Sequence, residues 1–149
     1  MIYLSTLEKY QKLLEFAERR GSWKDSYPFN EKNFNMNYWI IPSRGYCGCL
    51  AGHMCLDSIY KGAGFQLEGN WVSYEGFTNF DALLAFFGGP QDYVGRIFCG
   101  QSYDEEAAFK MNPDFGTWMY DVPISLVIKH IREVIFELQD EVERVVETV

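Results

Sequence analysis

No apolar run in this chain is long enough to span a membrane. The longest, Ala82 to Phe87, falls far short of the roughly 18 residues a spanning helix needs. The opening residues Met1-Ile2-Tyr3-Leu4-Ser5-Thr6-Leu7-Glu8 hold no basic region ahead of an apolar stretch and no small-residue cleavage site, so they do not read as a signal peptide. Cytoplasmic residence without membrane contact is the expectation. Cations are scarce: 13 Lys and Arg stand against 21 Asp and Glu, a formal charge of -8. Such a field repels phosphate backbones and argues against direct nucleic-acid binding. There is no Gly-Lys-Ser/Thr phosphate loop, and Gly62-Ala63-Gly64 lacks the third glycine of a dinucleotide fingerprint and follows a helical pattern instead of a strand. No motif calls for a cofactor. Four cysteines, Cys47, Cys49, Cys55 and Cys99, stay reduced in the compartment this start implies, so four free thiols are expected.

What is present is core-forming material. Hydrophobic residues make up 48% and aromatics 17% of 149 residues, enough for one domain, 1–149, around a single core. The pattern predicts a mainly α domain of about five helices with long ordered loops and a long C-terminal helix; over 65–77 a short β-hairpin and an irregular loop are both open. Ser5-Thr6-Leu7-Glu8 has the spacing of a capping box, which starts a first helix near Ser5. Its stripe of Leu7, Tyr10, Leu14 and Ala17, widened by Leu13 and Phe16, runs to a stop at Arg19-Arg20-Gly21.

From Gly21 to Gly45 an ordered loop is expected, anchored by Phe29, Phe34, Met36, Trp39, Ile40 and Ile41. A second helix fits Cys47 or Gly48 to Tyr60, closed by Gly62-Ala63-Gly64. Asn79 suits the cap of a helix Phe80 to Phe87 that Gly88-Gly89 ends, and Pro90 opens another, Gln91 to Phe98. Gly100 to Asp121, with Asn112-Pro113-Asp114 and Gly116, reads mostly as loop. After Pro123 the residues Ile124, Ile128, Ile131, Ile135, Leu138, Val142, Val145 and Val149 form a heptad stripe to the end of the sequence. Such a helix outreaches a small domain. Either the first helix packs antiparallel along it, or its far end pairs with another subunit, as a homodimer, or with a partner helix.

The charge is unevenly placed. Residues 1 to 40 hold six cations and five anions, 41 to 99 three and five, and 100 to 149 four and eleven. Glu133, Glu137, Asp140, Glu141, Glu143 and Glu147 of the last helix are six of those eleven anions. Like charges four apart repel by a few tenths of a kcal/mol, and a solvated face is the plain explanation. The sharper one is a surface that docks on a basic or nucleic-acid-binding protein.

Reactive residue types crowd together at one place, Arg44-Gly45-Tyr46-Cys47-Gly48-Cys49-Leu50-Ala51-Gly52-His53-Met54-Cys55. Cys49 and His53, four apart, would share a helix face. With Cys47 they could offer metal ligands, but no second Cys-x-x-Cys completes a zinc set. As nucleophile and base they would be the minimum of a cysteine enzyme, with no third group to orient the imidazole. The simplest reading is that Gly48, Ala51 and Gly52 let a helix approach the long final helix closely while the cysteines fill the core. Loop aromatics Phe34, Trp39, Trp71, Trp118 and Tyr120 fit core anchoring or a ligand-stacking pocket.

Phe34-Asn35-Met36 with Trp39, then Gly45 and Cys49-Leu50-Ala51-Gly52-His53, resembles a family of small uncharacterised bacterial and phage proteins. Its hallmark is Phe-Asn/Asp-Met, a nearby Trp and Cys-Gly-Thr-x-x-Cys-x-Ala-Gly. The resemblance covers about 34 to 98, continuing at Leu84-Ala85-Phe86-Phe87-Gly88-Gly89 and Arg96-Ile97-Phe98, and ends in a family-like last helix. It implies architecture; the family carries no established activity to transfer. Aligned on Cys49, the family's first cysteine falls on Arg44 and its threonine on Tyr46, so a metal or redox role needing both family cysteines does not carry over unless Cys47 substitutes. The expected function is therefore non-catalytic: an intracellular accessory protein, in keeping with a phage-encoded one, that binds another protein through its acidic last third or an exposed part of the heptad stripe. A cysteine-dependent enzyme or thiol site at Cys49 and His53, and a small-ligand or nucleotide binder lined by loop aromatics, are the alternatives.

Overall fold

A computed structural model describes residues 2–21, 29, 33–41, 46–112 and 117–147. Their order is α1 (Ile2–Arg20), β1 (Ile40–Ile41), β2 (Cys47–Gly48), α2 (Leu50–Met54), α3 (Ser58–Ala63), β3 (Phe65–Glu68), β4 (Trp71–Tyr74), β5 (Phe77–Thr78), α4 (Asn79–Phe87), α5 (Gln91–Phe98), a 3-10 turn (Gly100–Tyr103), β6 (Ala108–Asn112), β7 (Thr117–Asp121) and α6 (Ile124–Glu147).

The scaffold is the pair α1 and α6, antiparallel neighbours. A Cβ on Gly21, at the end of α1, would meet the Ile124 side chain at the start of α6 at 3.4 Å, and Glu18 accepts from Arg132 further along at 3.1 Å. At 24 residues α6 is about 36 Å long. Its buried line is Val127, Ile131, Val134 and Leu138, flanked by His130 and Ile135, and α1 supplies Leu7, Tyr10, Leu13, Phe16 and Ala17 to the same core. The seam of α6 is thus covered within the chain over its middle turns, with Ile124, Ile128 and Val142 only half-buried at its edges. Packing of this kind, more than helix propensity, is what holds long helices in place.

The expectation of a mainly α domain is corrected, because the fold is mixed α/β. Among the described residues β1 pairs with β2, β3-β4-β5 form a meander, and β6 pairs with β7, every pairing antiparallel. The open stretch 65–77 is therefore two turns of meander, in register from Phe65 opposite Tyr74 to Glu68 opposite Trp71. The stretch 100–121, expected as loop, holds the hairpin β6–β7, with Phe109 opposite Tyr120 and Lys110 bridged to Asp121 at 2.8 Å. Four residues of β6, Ala108 to Met111, are exposed, so no buried face marks it as a strand. The expected turn at Pro113, Asp114 and Gly116 lies outside the described residues.

Other boundaries shift for local reasons. The helix expected from Cys47 to Tyr60 is β2, then α2, then α3. Its break falls where the Asp57 carboxylate accepts from the Ile59 amide at 3.1 Å and starts a new helix. Gly64 closes α3 at φ 116°, as its freedom at positive φ suggests. Helix α1 begins at Ile2, so Ser5 lies inside it and does not cap it. Thr6, one residue on, donates instead to the Phe87 carbonyl at 2.8 Å, closing the end of α4. Asn79 is the first residue of α4, not its cap, and its side chain accepts from the Val72 amide at 3.2 Å. Helix α5 spans Gln91–Phe98 behind Pro90 as the sequence predicts. Every residue of α2 is buried, but it packs mainly on β2 and β4, whereas α6 lies against α1 and α5. The expected seat of α2 on the final helix is corrected accordingly.

Candidate functional site

The segment that crowds cysteine and histidine is tied to the Phe34-Asn35-Met36 motif by backbone bonds. The Gly48 amide donates to Asn33 at 3.1 Å, Asn35 donates to Gly48 at 2.8 Å, and the Cys49 amide donates to Tyr38 at 2.7 Å. Phe34 and Met36 are buried. The Asn35 carboxamide oxygen accepts from the amide and the side chain of Asn37, each at 2.9 Å, and Asn37 donates on to the Tyr120 carbonyl of β7 at 2.7 Å. The motif clasps the 47–53 segment on one side and the β6–β7 hairpin on the other, which is an architectural role.

Cys49 and His53 are sealed within that clasp, at 2% and 1% exposure. The Cys49 thiol donates to the Trp39 carbonyl at 3.5 Å, and burial pushes its pKa up to about 11. At neutral pH that leaves roughly one thiolate in ten thousand. His53 Nε2 faces the Asn33 carbonyl at 2.5 Å, so this nitrogen carries the proton and donates, leaving Nδ1 with the lone pair. Nδ1 is buried without a hydrogen-bond partner among the described residues, beside the Phe29 and Phe34 rings at 4.7 and 6.5 Å between centroids. Burial and then the Arg20 charge hold this imidazole down to about 4, against the pull of the Asn33 carbonyl. A protonated thiol and a neutral ring bonded to the backbone are poorly disposed for nucleophilic catalysis.

Cys47 is buried in β2 opposite Ile41, and Tyr46 is exposed. Arg44 lies outside the described residues. Among those described, no three His, Cys, Asp or Glu side chains are gathered to hold a metal ion, so Cys47, Cys49 and His53 are not brought together as a ligand set. All four cysteines are free thiols. No described helix is long and apolar enough to cross a membrane.

The acidic residues of α6 line its outer side. Glu137 is bonded to Arg96 of α5, Glu133 stands 4.0 Å from Lys129, and Asp140 and Glu141 share Arg144 at 2.9 and 3.5 Å. Glu143 is exposed, and the side chain of Glu147 is not among those described. Amid these charges stands Phe136, 74% exposed, with Arg132, Glu133 and Asp140 as its neighbours three and four positions away on the helix. Phe136 has no place in the heptad stripe of α6 and so is absent from the residues the sequence nominates. The available signal was a large apolar residue out of phase with that stripe.

The inner side of the same helix carries a polar bracket. His130 is buried, stacked on Tyr103 at 4.1 Å between centroids. Its nitrogens face the Arg96 carbonyl at 2.8 Å and Glu106 at 2.6 Å. Lys129 also reaches Glu106, at 2.6 Å, and with His130 as second contributor it holds that carboxyl below its ordinary range.

Of the loop aromatics, Trp39 and Tyr120 come together with Phe80 around a cavity of about 390 Å³ whose edge includes Asn37 and Gln101. Phe34 is core and Trp71 is exposed; nothing is described for the side chain of Trp118. In comparison with known proteins, no family model, no curated protein and no solved structure matches this chain.

Proposed function

We propose that this protein is a non-catalytic accessory protein that acts inside the cell by binding another protein, and that its recognition surface is the outer side of α6. The observation that carries this reading is the Phe136 ring, exposed on a helix face that also carries Glu133, Asp140 and Glu143 three, four and seven positions away, with Arg132 beside them. A solvated charged face has no need of an aromatic at its centre, whereas interface hot spots are typically large side chains ringed by polar contacts. The partner that suits the surrounding carboxylates is a basic one, such as a nucleic-acid-binding protein. The ion pairs that now engage them are exposed, worth about 0–1 kcal/mol each, so an incoming Lys or Arg can replace them at little cost.

Capture from host lysate tests the reading with three baits: the wild-type chain, Phe136→Ala, and a variant with Glu133, Glu137, Glu141 and Glu143 changed to Gln. The wild type should retain a partner that both variants lose, with retention falling as salt rises. Identical partner sets for all three baits would sink the proposal.

A further inference from the structure

A second surface feature lies on the opposite part of the chain, where α1 meets α3 and α4. A cavity of about 450 Å³ opens there. Its floor is a row of three aromatic rings, with Phe16 edge-on to Tyr60 at 5.4 Å and Tyr60 edge-on to Phe86 at 6.0 Å between centroids. Ile59, 65% exposed, and Ala63 of α3 form one wall. The other wall is α1, which presents Lys9, Lys12, Glu15 and Arg19.

The charges divide into spent and unspent. Arg19 pairs with Asp57 at 2.7 Å. Lys9 donates to the Phe86 carbonyl at 2.6 Å and lies over the Phe86 ring, but no carboxylate pairs with it among the described residues. Lys12 has no hydrogen-bond or ion-pair partner there, and Glu15 is the one carboxylate left on this wall. In a chain of charge -8, an apolar cavity rimmed by two such lysines stands out.

Tyr60 forms the middle of that floor. It is 5% exposed, lines the cavity, and its hydroxyl has no hydrogen-bond partner among the described residues. That hydroxyl is itself buried, so the cavity meets Tyr60 through its ring. An apolar cavity of this size with a few convergent polar groups is the usual form of a small-molecule site.

The geometry points to a binding site for a small amphipathic carboxylate. The ligand's apolar body lies across Phe16, Tyr60 and Phe86, and its charged end sits against Lys12 and Lys9. A neutral amphiphile would leave the lysines unused, and a cationic one would be repelled by them.

Decanoate and decanol, equal in chain length and different in charge, are the probes, titrated into the full chain while its NMR signals are followed. Decanoate should shift the signals of Phe16, Tyr60 and Phe86 saturably and bind more tightly than decanol. Lys12→Gln should weaken decanoate about three- to five-fold and leave decanol unchanged, as for one exposed charge contact. Glu15→Gln should strengthen decanoate by a similar factor. The proposal is overturned if no saturable shift occurs at these rings, if the shifts lie elsewhere, or if decanoate affinity ignores both charge variants.

Discussion

The buried imidazole of His53 makes stability depend on acid in a calculable way. Its folded pKa of about 4 lies below the ordinary 6.5, so between those values the unfolded chain holds a proton that the folded one does not. Above pH 6.5 both states are neutral and the group contributes nothing to the balance. As pH falls through the window, stability is lost, because the state that binds more protons is favoured. A shift of this size amounts to about 3 kcal/mol when complete, at 1.36 kcal/mol per unit, and to about 2 kcal/mol at pH 5. That is a sizeable share of the 5–15 kcal/mol typical of a domain.

The measurement is urea unfolding at several pH values between 7.5 and 4.5, on the wild type and on His53→Gln, whose amide can still donate to the Asn33 carbonyl. At pH 7.5 the variant should be the less stable of the two, by the packing lost around Phe29 and Phe34. By pH 5 that gap should have narrowed by about 2 kcal/mol, since only the wild type carries the titrating ring. Carboxylates and His130 are common to both proteins and cancel in the difference. Curves that stay parallel across the window would refute the argument that His53 is neutral and sealed.

Other outcomes follow from individual contacts. With iodoacetamide at pH 8, Cys99, which is only partly buried, should be modified first. Cys49 and Cys55, whose burial pushes them up to about 11 and about 12, should react only on unfolding; rapid native labelling of Cys49 would revive the enzyme reading. Leu13→Ala empties a fully buried position between the helices and should cost about 3 kcal/mol, read as a fall of about 10 °C in melting temperature. Thr6→Val leaves the Phe87 carbonyl without its donor and should cost about 1–2 kcal/mol in urea unfolding. Gly89→Ala puts a Cβ 3.2 Å from Thr6 at φ 71° and should cost at least about 1 kcal/mol by the same assay.

How far the sequence reveals all this depends on what writes the signal. Helices α5 and α6 were legible because Pro90 and Pro123 mark their starts and their apolar residues recur with helical spacing. The glycine stops at Gly64 and Gly88 were legible for the same kind of local reason. Hairpin β6–β7 was hidden because Phe109 and Met111 are exposed, so its pattern is not written by burial. The split of α2 from α3 hung on one carboxylate, Asp57, in a stretch whose spacing also suits one continuous helix. For the candidate sites, the run from Cys47 to Cys55 advertised chemistry, but sequence spacing carries no information on depth, and depth is what silences Cys49. The cavity at Tyr60 draws on α1, α3 and α4 at once, and no window of the sequence contains it.

The antiparallel pairing of α1 with α6 also governs how the chain is made. Glu18 and Arg132, in contact across the pair, are 114 residues apart. At about 5–20 residues per second of synthesis, the apolar face of α1 therefore waits roughly 6–23 seconds for the helix that covers it. During that interval the part of α1 that α6 covers can be shielded only by provisional contacts or by a chaperone, whereas Tyr10 has its native stack on Phe87 at 4.5 Å once α4 is made. Folding of this molecule is thus closed by its last helix, and a chain interrupted before Leu138 would leave the ribosome with that part of its first helix still uncovered.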